Sequence, residues 1–224
     1  MWRDALLVAG KDLRIEARSR VATNQVAPFA VIVLVLFAFA LDPDRGVLKQ
    51  AAAGLFWVAV LFCALLAVQR SFAVEGADGA RDALRMSGLD PAGVFLGKAA
   101  AVALELAGLE VLLGAGVVLL YNADLHGALL LVLTCLAATL GLAAAGTVYG
   151  VLAAGLRVRE TLLPLLLLPV VAPVVLAATR ACEAALGVSG TAGDGAPWLR
   201  LLGVFAVVYI AFGILAFGPL LEET

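Results

Sequence analysis

One histidine, His126, stands in 224 residues, and the three cysteines, Cys63, Cys135 and Cys182, lie far apart. A lone imidazole excludes an HExxH helix, a His-rich metal site and a pair of axial ligands gripping a heme iron from both faces. The cysteine spacing contains no CxxC and draws no disulfide framework, so the thiols read as small buried apolar side chains. Charge is scarce as well, at 14% of the chain, against roughly a quarter in ordinary soluble domains. With 15 basic residues against 17 acidic ones, no basic face can be assembled that tracks phosphates, which removes nucleic acid as a partner. No Ser, His and Asp constellation is available for nucleophilic catalysis. These absences predict a non-catalytic chain with no metal and no cofactor of its own.

What fills the space is hydrophobicity, at 64% of residues. Apolar runs near the roughly 20 residues that cross a bilayer, free of charge but for two acids in the third, occupy 21–41, 51–68, 99–120, 127–156, 161–179 and 201–221. The chain therefore reads as one all-α integral membrane domain over 1–224 with six transmembrane helices. Lysine and arginine concentrate on one side: Arg3, Lys11, Arg14, Arg18, Arg20, Arg70, Arg81, Arg85, Lys98, Arg157 and Arg159, against Arg45, Lys49, Arg180 and Arg200 on the other. Retention of basic loops in the cytoplasm predicts a multi-pass protein of the bacterial inner membrane with both termini inside. Residues 1–20 place Trp2, Leu6, Ala9 and Leu13 at helical spacing opposite Lys11, Arg14 and Arg18. That is the pattern of an amphipathic helix lying on the membrane lipid. Asp4, Asp12 and Glu16 set it apart from a signal peptide.

Between spans two and three runs the longest charged segment, 69–91. Residues 80–86 suffice for about two helical turns, Ser87-Gly88 can end them, and Asp90-Pro91 suits the cap and first residue of the next helix. Alone, such a loop fits a solvated linker; a short helix there also fits a lever driven by a separate ATPase. The candidate coupling residues are Asp78, Gly79, Arg81, Asp82, Leu84, Arg85 and Met86. The chain carries no ATPase itself. Gly93-Val-Phe-Leu-Gly97-Lys98-Ala99 has one residue too few before its Gly-Lys pair and alanine where magnesium needs a hydroxyl.

Glu105 and Glu110 fall inside span three, where an acid at mid-membrane costs about 2.5 to 3.5 kcal/mol on insertion scales. Five residues apart, they differ by about 140° around a helix and cannot share one narrow face. A substrate or proton path is one reading. The other has Glu105 reaching interfacial water and Glu110 hydrogen-bonded between helices. Gly146-Thr-Val-Tyr-Gly150 is a GxxxG that permits close helix approach, within the bundle or between two copies. In span five, Thr161 is a possible cap and Pro164 is expected in the first turn, whereas Pro169 and Pro173 are interior and bend the helix.

Several of these stretches, in order, resemble one family. They are Lys11-Asp-Leu-Arg-Ile-Glu-Ala-Arg-Ser-Arg20, Phe37-Ala-Phe-Ala-Leu-Asp-Pro43, Gly54-Leu-Phe-Trp-Val-Ala59, Gln69-Arg-Ser-Phe-Ala73 with Glu75 and Asp78-Gly79, Phe95-Leu-Gly-Lys98, Glu110 and residues 157–173. The chain is similar over residues 10–175 to a membrane component of the cytochrome c maturation transporter, the heme exporter protein B or CcmB family. It departs at Ser87-Gly88, where many members have a proline, and after Thr179. The resemblance implies an ABC-2-like permease with a coupling helix between spans two and three. It implies work beside a separate ATPase subunit that binds ATP, a heme-handling membrane subunit, a further small subunit, then a heme chaperone, with heme as cargo of the system. Two alternatives stay open: a permease of another ABC exporter for lipid, polysaccharide or drug, and a scaffold that passes force to the heme-handling protein without passing substrate.

Overall fold

In the computed structural model, described for residues 1–41, 46–76, 86, 88–121, 126–154, 159–188 and 195–223, every regular element is helical. The helices are α1 (Trp2–Ser19), a π-turn (Ala22–Val26) leading into α2 (Ala27–Ala40), α3 (Val47–Gly76), α4 (Pro91–Tyr121), α5 (Ala128–Ala154), α6 (Arg159–Ala185) and α7 (Ala196–Glu223). Six of them, counting the π-turn with α2, are long and apolar enough to cross a membrane. Such a span needs an apolar face on all sides, because both lipid and neighbouring helices are apolar solvents for it.

The spans differ from the charge-free runs at their ends. α3 has 30 residues and α4 has 31, lengths of about 45 Å against a hydrocarbon core of about 30 Å. Their extra turns lie at the same end of the bundle and carry Arg70 and Lys98. A charge-free window stops at those side chains; the helices continue because the charges are paired, as described below.

α4 is central, packing on α1, α2, α3, α5 and α7, and α5 packs broadly on α6 and α7. The core joins Trp57, Phe95, Leu106, Leu113, Leu142, Leu167 and Phe217. Away from α1, the Tyr121 hydroxyl donates to the Leu34 carbonyl at 2.9 Å, tying α4 to α2. α6 closes with Gly187 at φ +65°, its N–H donating to the Ala184 carbonyl while Val188 N–H reaches the Glu183 carbonyl. This left-handed closure is one glycine adopts at little steric cost.

α6 corrects one expectation. It starts at Arg159, so Thr161 is its third residue and no cap, and Pro164 is inside the helix together with Pro169 and Pro173. Each proline withholds a donor from a carbonyl four residues earlier. Pro169 and Pro173 are exposed on the bundle surface.

Candidate functional site

Charged and polar side chains gather where α1 lies across α3 and α4. α1 has three edges. Ala5 and Val8 are buried against α4; Trp2 and Leu6 are 72% and 75% exposed on a second edge; Lys11, Arg14 and Arg18 form a third, exposed edge. The sequence pattern of Trp2, Leu6, Ala9 and Leu13 therefore describes the outward apolar edge rather than the edge that meets the protein.

Glycine creates the groove in which α1 lies. A Cβ on Gly93 would stand 2.8 Å from the Met1 carbonyl oxygen, and one on Gly97 would stand 2.6 Å from the Ala5 carbonyl oxygen. These are backbone collisions that no side-chain rotation relieves. The stretch that resembles a defective phosphate loop is thus a GxxxG seat for α1, with Gly93 and Gly97 one turn apart. That spacing is readable in the sequence but does not reveal its partner.

Two ion pairs hold α1 over this seat. The Arg70 Nε donates to Glu16 Oε2 at 2.8 Å, and Arg70 Nη2 donates to Ser19 Oγ at 2.5 Å. Glu16 also accepts the Ala22 N–H at 2.6 Å on Oε1, so one carboxylate ties α1, the π-turn and α3 together. The α1 chain turns at Arg20, which is left-handed at φ 52° and donates its N–H to the Glu16 carbonyl at 2.8 Å. The second pair is deeper: Lys98 is 1% exposed, with Nζ 3.3 Å from Asp12 Oδ2 and 3.3 Å from Ser71 Oγ. It lies 4.8 Å above the Phe72 ring centroid, a cation–π position.

The start of α1 meets the start of α4. Asp4 Oδ2 accepts the Asp90 N–H at 3.4 Å, and the Met1 ammonium lies 3.1 Å from Asp4 and 3.4 Å from Asp90. The hydrogen bond from Met1 holds the Asp4 carboxyl below its ordinary range, and Asp4 in turn raises the ammonium. Asp90 caps α4 by accepting the Ala92 N–H at 3.1 Å, with Pro91 as first helical residue, as its spacing predicts.

The two intramembrane acids face different neighbours, as their angular separation requires. Glu105 borders a cavity of about 40 Å³ that it shares with Asp12, Glu16, Arg70, Ser71 and several aliphatic side chains, a volume large enough for water. Its Oε1 is buried without a hydrogen-bond partner among the described residues. Glu110 faces the other way, is 7% exposed, and accepts a hydrogen bond from the Thr139 hydroxyl of α5. Among the described residues no His, Cys, Asp and Glu group could hold a metal.

Of the candidate coupling residues, Asp78, Gly79, Arg81, Asp82, Leu84 and Arg85 lie outside the described residues. Met86 is 82% exposed, and Gly88 turns at φ +69°. Gly146 and Gly150 pack within the chain: an added Cβ on Gly146 would stand 2.5 Å from Val68 Cγ2, and one on Gly150 would enter the Phe72 ring. Phe72 therefore carries Lys98 on its face and α5 at its edge. Sequence reasoning overlooked Asp12, Glu16, Arg70, Ser71 and Lys98, whose pairing is long-range. The signal was the presence of both signs of charge at the margins of apolar runs.

Residues 3–223 match the family model described as CcmB protein. The chain is 32% identical to heme exporter protein B of Haemophilus influenzae over 212 residues, 94% of this chain and 95% of that one. It is 30% identical to heme exporter protein B of Bradyrhizobium diazoefficiens over 204 residues, covering 91% and 90%. With heme exporter protein B of Pseudomonas aeruginosa the identity is 29% over 210 residues, covering 94% of each. A match that runs through α1, all six apolar helices and the polar junction among them makes the chain a member of the CcmB protein family.

Proposed function

We propose that the chain is the membrane permease subunit of an ABC transporter complex for cytochrome c maturation, in the bacterial inner membrane with both termini cytoplasmic. ATP is hydrolysed by a separate ATPase partner, and the segment Asp78, Gly79, Arg81, Asp82, Leu84, Arg85 and Met86 receives its motion. A second membrane protein handles heme, a small further subunit joins them, and the heme-loaded chaperone is released. The relatives' name, heme exporter protein B, supports heme as cargo of the system. Multi-pass architecture is supported by the six apolar helices.

One observation carries the coupling reading. The helices that flank this segment are α3, which carries Arg70 near its last residue Gly76, and α4, which carries Asp90 as its cap and Lys98 two turns in, and all three are held to α1, by side chain or backbone, through Glu16, Asp4 and Asp12. A push on that segment therefore reaches α1, and through Glu16 and Ala22 the start of α2. Low-dielectric surroundings make such pairs stiff links, since breaking one leaves an uncompensated charge.

In a second reading, the chain transmits force to the heme-handling protein without passing substrate itself. The test is reconstitution of the chain with its ATPase, the other membrane proteins and the heme-loaded chaperone. Maturation function gives ATP-dependent release of the chaperone. Stimulation of ATPase activity by a lipid or drug without the chaperone assigns the chain to another ABC exporter instead.

A further inference from the structure

α6 divides lengthwise into two faces. Leu163, Leu167, Val171, Val174, Ala177 and Ala178 are buried against the bundle, whereas Leu165 is 66% and Leu176 56% exposed, with Pro169, Ala172 and Pro173 on the same outward strip. That strip carries a polar demand which its side chains conceal. Pro169 has no N–H for the Leu165 carbonyl, and Pro173 has none for the Pro169 carbonyl. α6 stays α-helical through both prolines, so the neighbouring N–H groups serve their own carbonyls. Each freed carbonyl lies beneath the proline that fails to bond it. Two acceptors one turn apart are thus set on the exposed face of an apolar span, roughly 6 and 12 Å in from Thr161.

No side chain of α6 answers that demand, because from Leu162 to Ala178 none carries a donor. Acyl chains offer none either, and the hydrocarbon core holds no water to replace them, so an unmet carbonyl there is costly. A covering helix from another molecule can supply the donor, and Ala172, between the two prolines, leaves room for its close approach. A second copy is a poor source. Among the described residues, the exposed polar side chains of this chain's spans, such as Gln25, Arg180 and Arg200, lie near a span's end. Tyr209 is deeper, but its ring stacks on Phe205 and its hydroxyl is hydrogen-bonded to Tyr149.

We propose that the outward strip of α6 is the interface with a transmembrane helix of a different membrane protein, whose hydroxyl, amide or indole group donates to the carbonyls freed by Pro169 and Pro173. The inference rests on the reading that the chain works beside other membrane proteins, and is independent of what they carry. The two prolines then serve recognition as well as bending the helix.

The test uses the full chain in nanodiscs with the ATPase and the other membrane proteins of its transporter. A photo-cross-linking benzoylphenylalanine in place of Ala172 is expected to join a transmembrane helix of one of those proteins, at a segment that contains a side-chain donor. Affinity for that protein is then read by energy transfer between the two labelled chains. Ala172→Trp should weaken it at least tenfold, while Leu215→Trp, on the 79% exposed edge of α7, leaves it unchanged. Pro169→Ala with Pro173→Ala restores both N–H groups and should weaken it about tenfold, the worth of two interhelical hydrogen bonds, with the thermal midpoint of the chain alone unchanged or raised. Replacing the partner's donor by alanine should cost about tenfold against the wild-type chain and nothing against the Pro169→Ala, Pro173→Ala variant, which separates hydrogen bonding from a change of helix shape. Cross-links to lipid only or to a second copy, a partner helix without a donor, or additive losses in that cycle overturn the proposal. Weakening by Leu215→Trp but not by Ala172→Trp overturns it and leaves the shared complex standing; a wild-type chain that binds none of the membrane proteins overturns both.

Discussion

Replacing Lys98 with methionine keeps the stem of the side chain and removes its charge. Lys98 is 1% exposed, and the side chain of its partner Asp12 is 13% exposed. Breaking a fully buried pair costs about 3–5 kcal/mol because the remaining ion is stranded, whereas an exposed pair contributes about 0–1 kcal/mol. Asp12 keeps Lys11 at 3.1 Å and some solvent contact, which places the expected cost near the lower end of the buried range, about 3 kcal/mol. Since 1.36 kcal/mol is a factor of ten, the undocked population of α1 should rise by roughly 150-fold. Limited trypsin digestion of the full chain at Arg14 and Arg18 reads that population when opening is fast relative to cleavage. The Asp12→Asn, Lys98→Met double variant should lose less than the two single variants together, with a coupling of about 1–3 kcal/mol. Wild-type cleavage rates in Lys98→Met, or strictly additive losses, would refute the claim that this pair holds α1 in place.

Three further outcomes follow from the packing. Gly97→Ala, which drives a Cβ into the Ala5 carbonyl, should release α1 to trypsin as Lys98→Met does, while Gly108→Ala, with nothing within 4 Å, should not. Gly150→Ala forces a Cβ into the Phe72 ring and should lower thermal stability by about 1–3 kcal/mol, the usual cost of overpacking; unchanged stability would show that α3 and α5 are not in contact there. Thr139→Val strips Glu110 of its donor and should cost about 1–3 kcal/mol, measured by denaturant titration in mixed micelles, with Glu110→Gln losing less because Thr139 can still donate to the amide oxygen.

The six spans were legible because their apolar runs are nearly free of charge, a pattern set by the solvent rather than by tertiary detail. Their ends were not. Arg70 and Lys98 interrupt the hydropathy at positions where the helices continue, and the compensation sits on α1, at partners 54 and 86 positions away in the sequence. The same long range hid the purpose of Gly93 and Gly97: the spacing is local, but the helix it admits comes from the far end of the sequence. Glu105 and Glu110 were legible as facing different ways, since that follows from helical geometry. Which neighbour each meets needed the packing. Pro164 was misplaced by one turn because α6 starts two residues before the apolar run does.

The central claim is that motion of a partner ATPase enters through the segment between α3 and α4. Charge reversal at Arg85 or Arg81, combined with measurement of ATP-driven release of the heme-loaded chaperone from the reconstituted complex, tests it most directly. Coupling through this segment predicts that release is lost while the complex and its basal ATP hydrolysis persist. Release at the wild-type rate from either charge-reversed complex would contradict it.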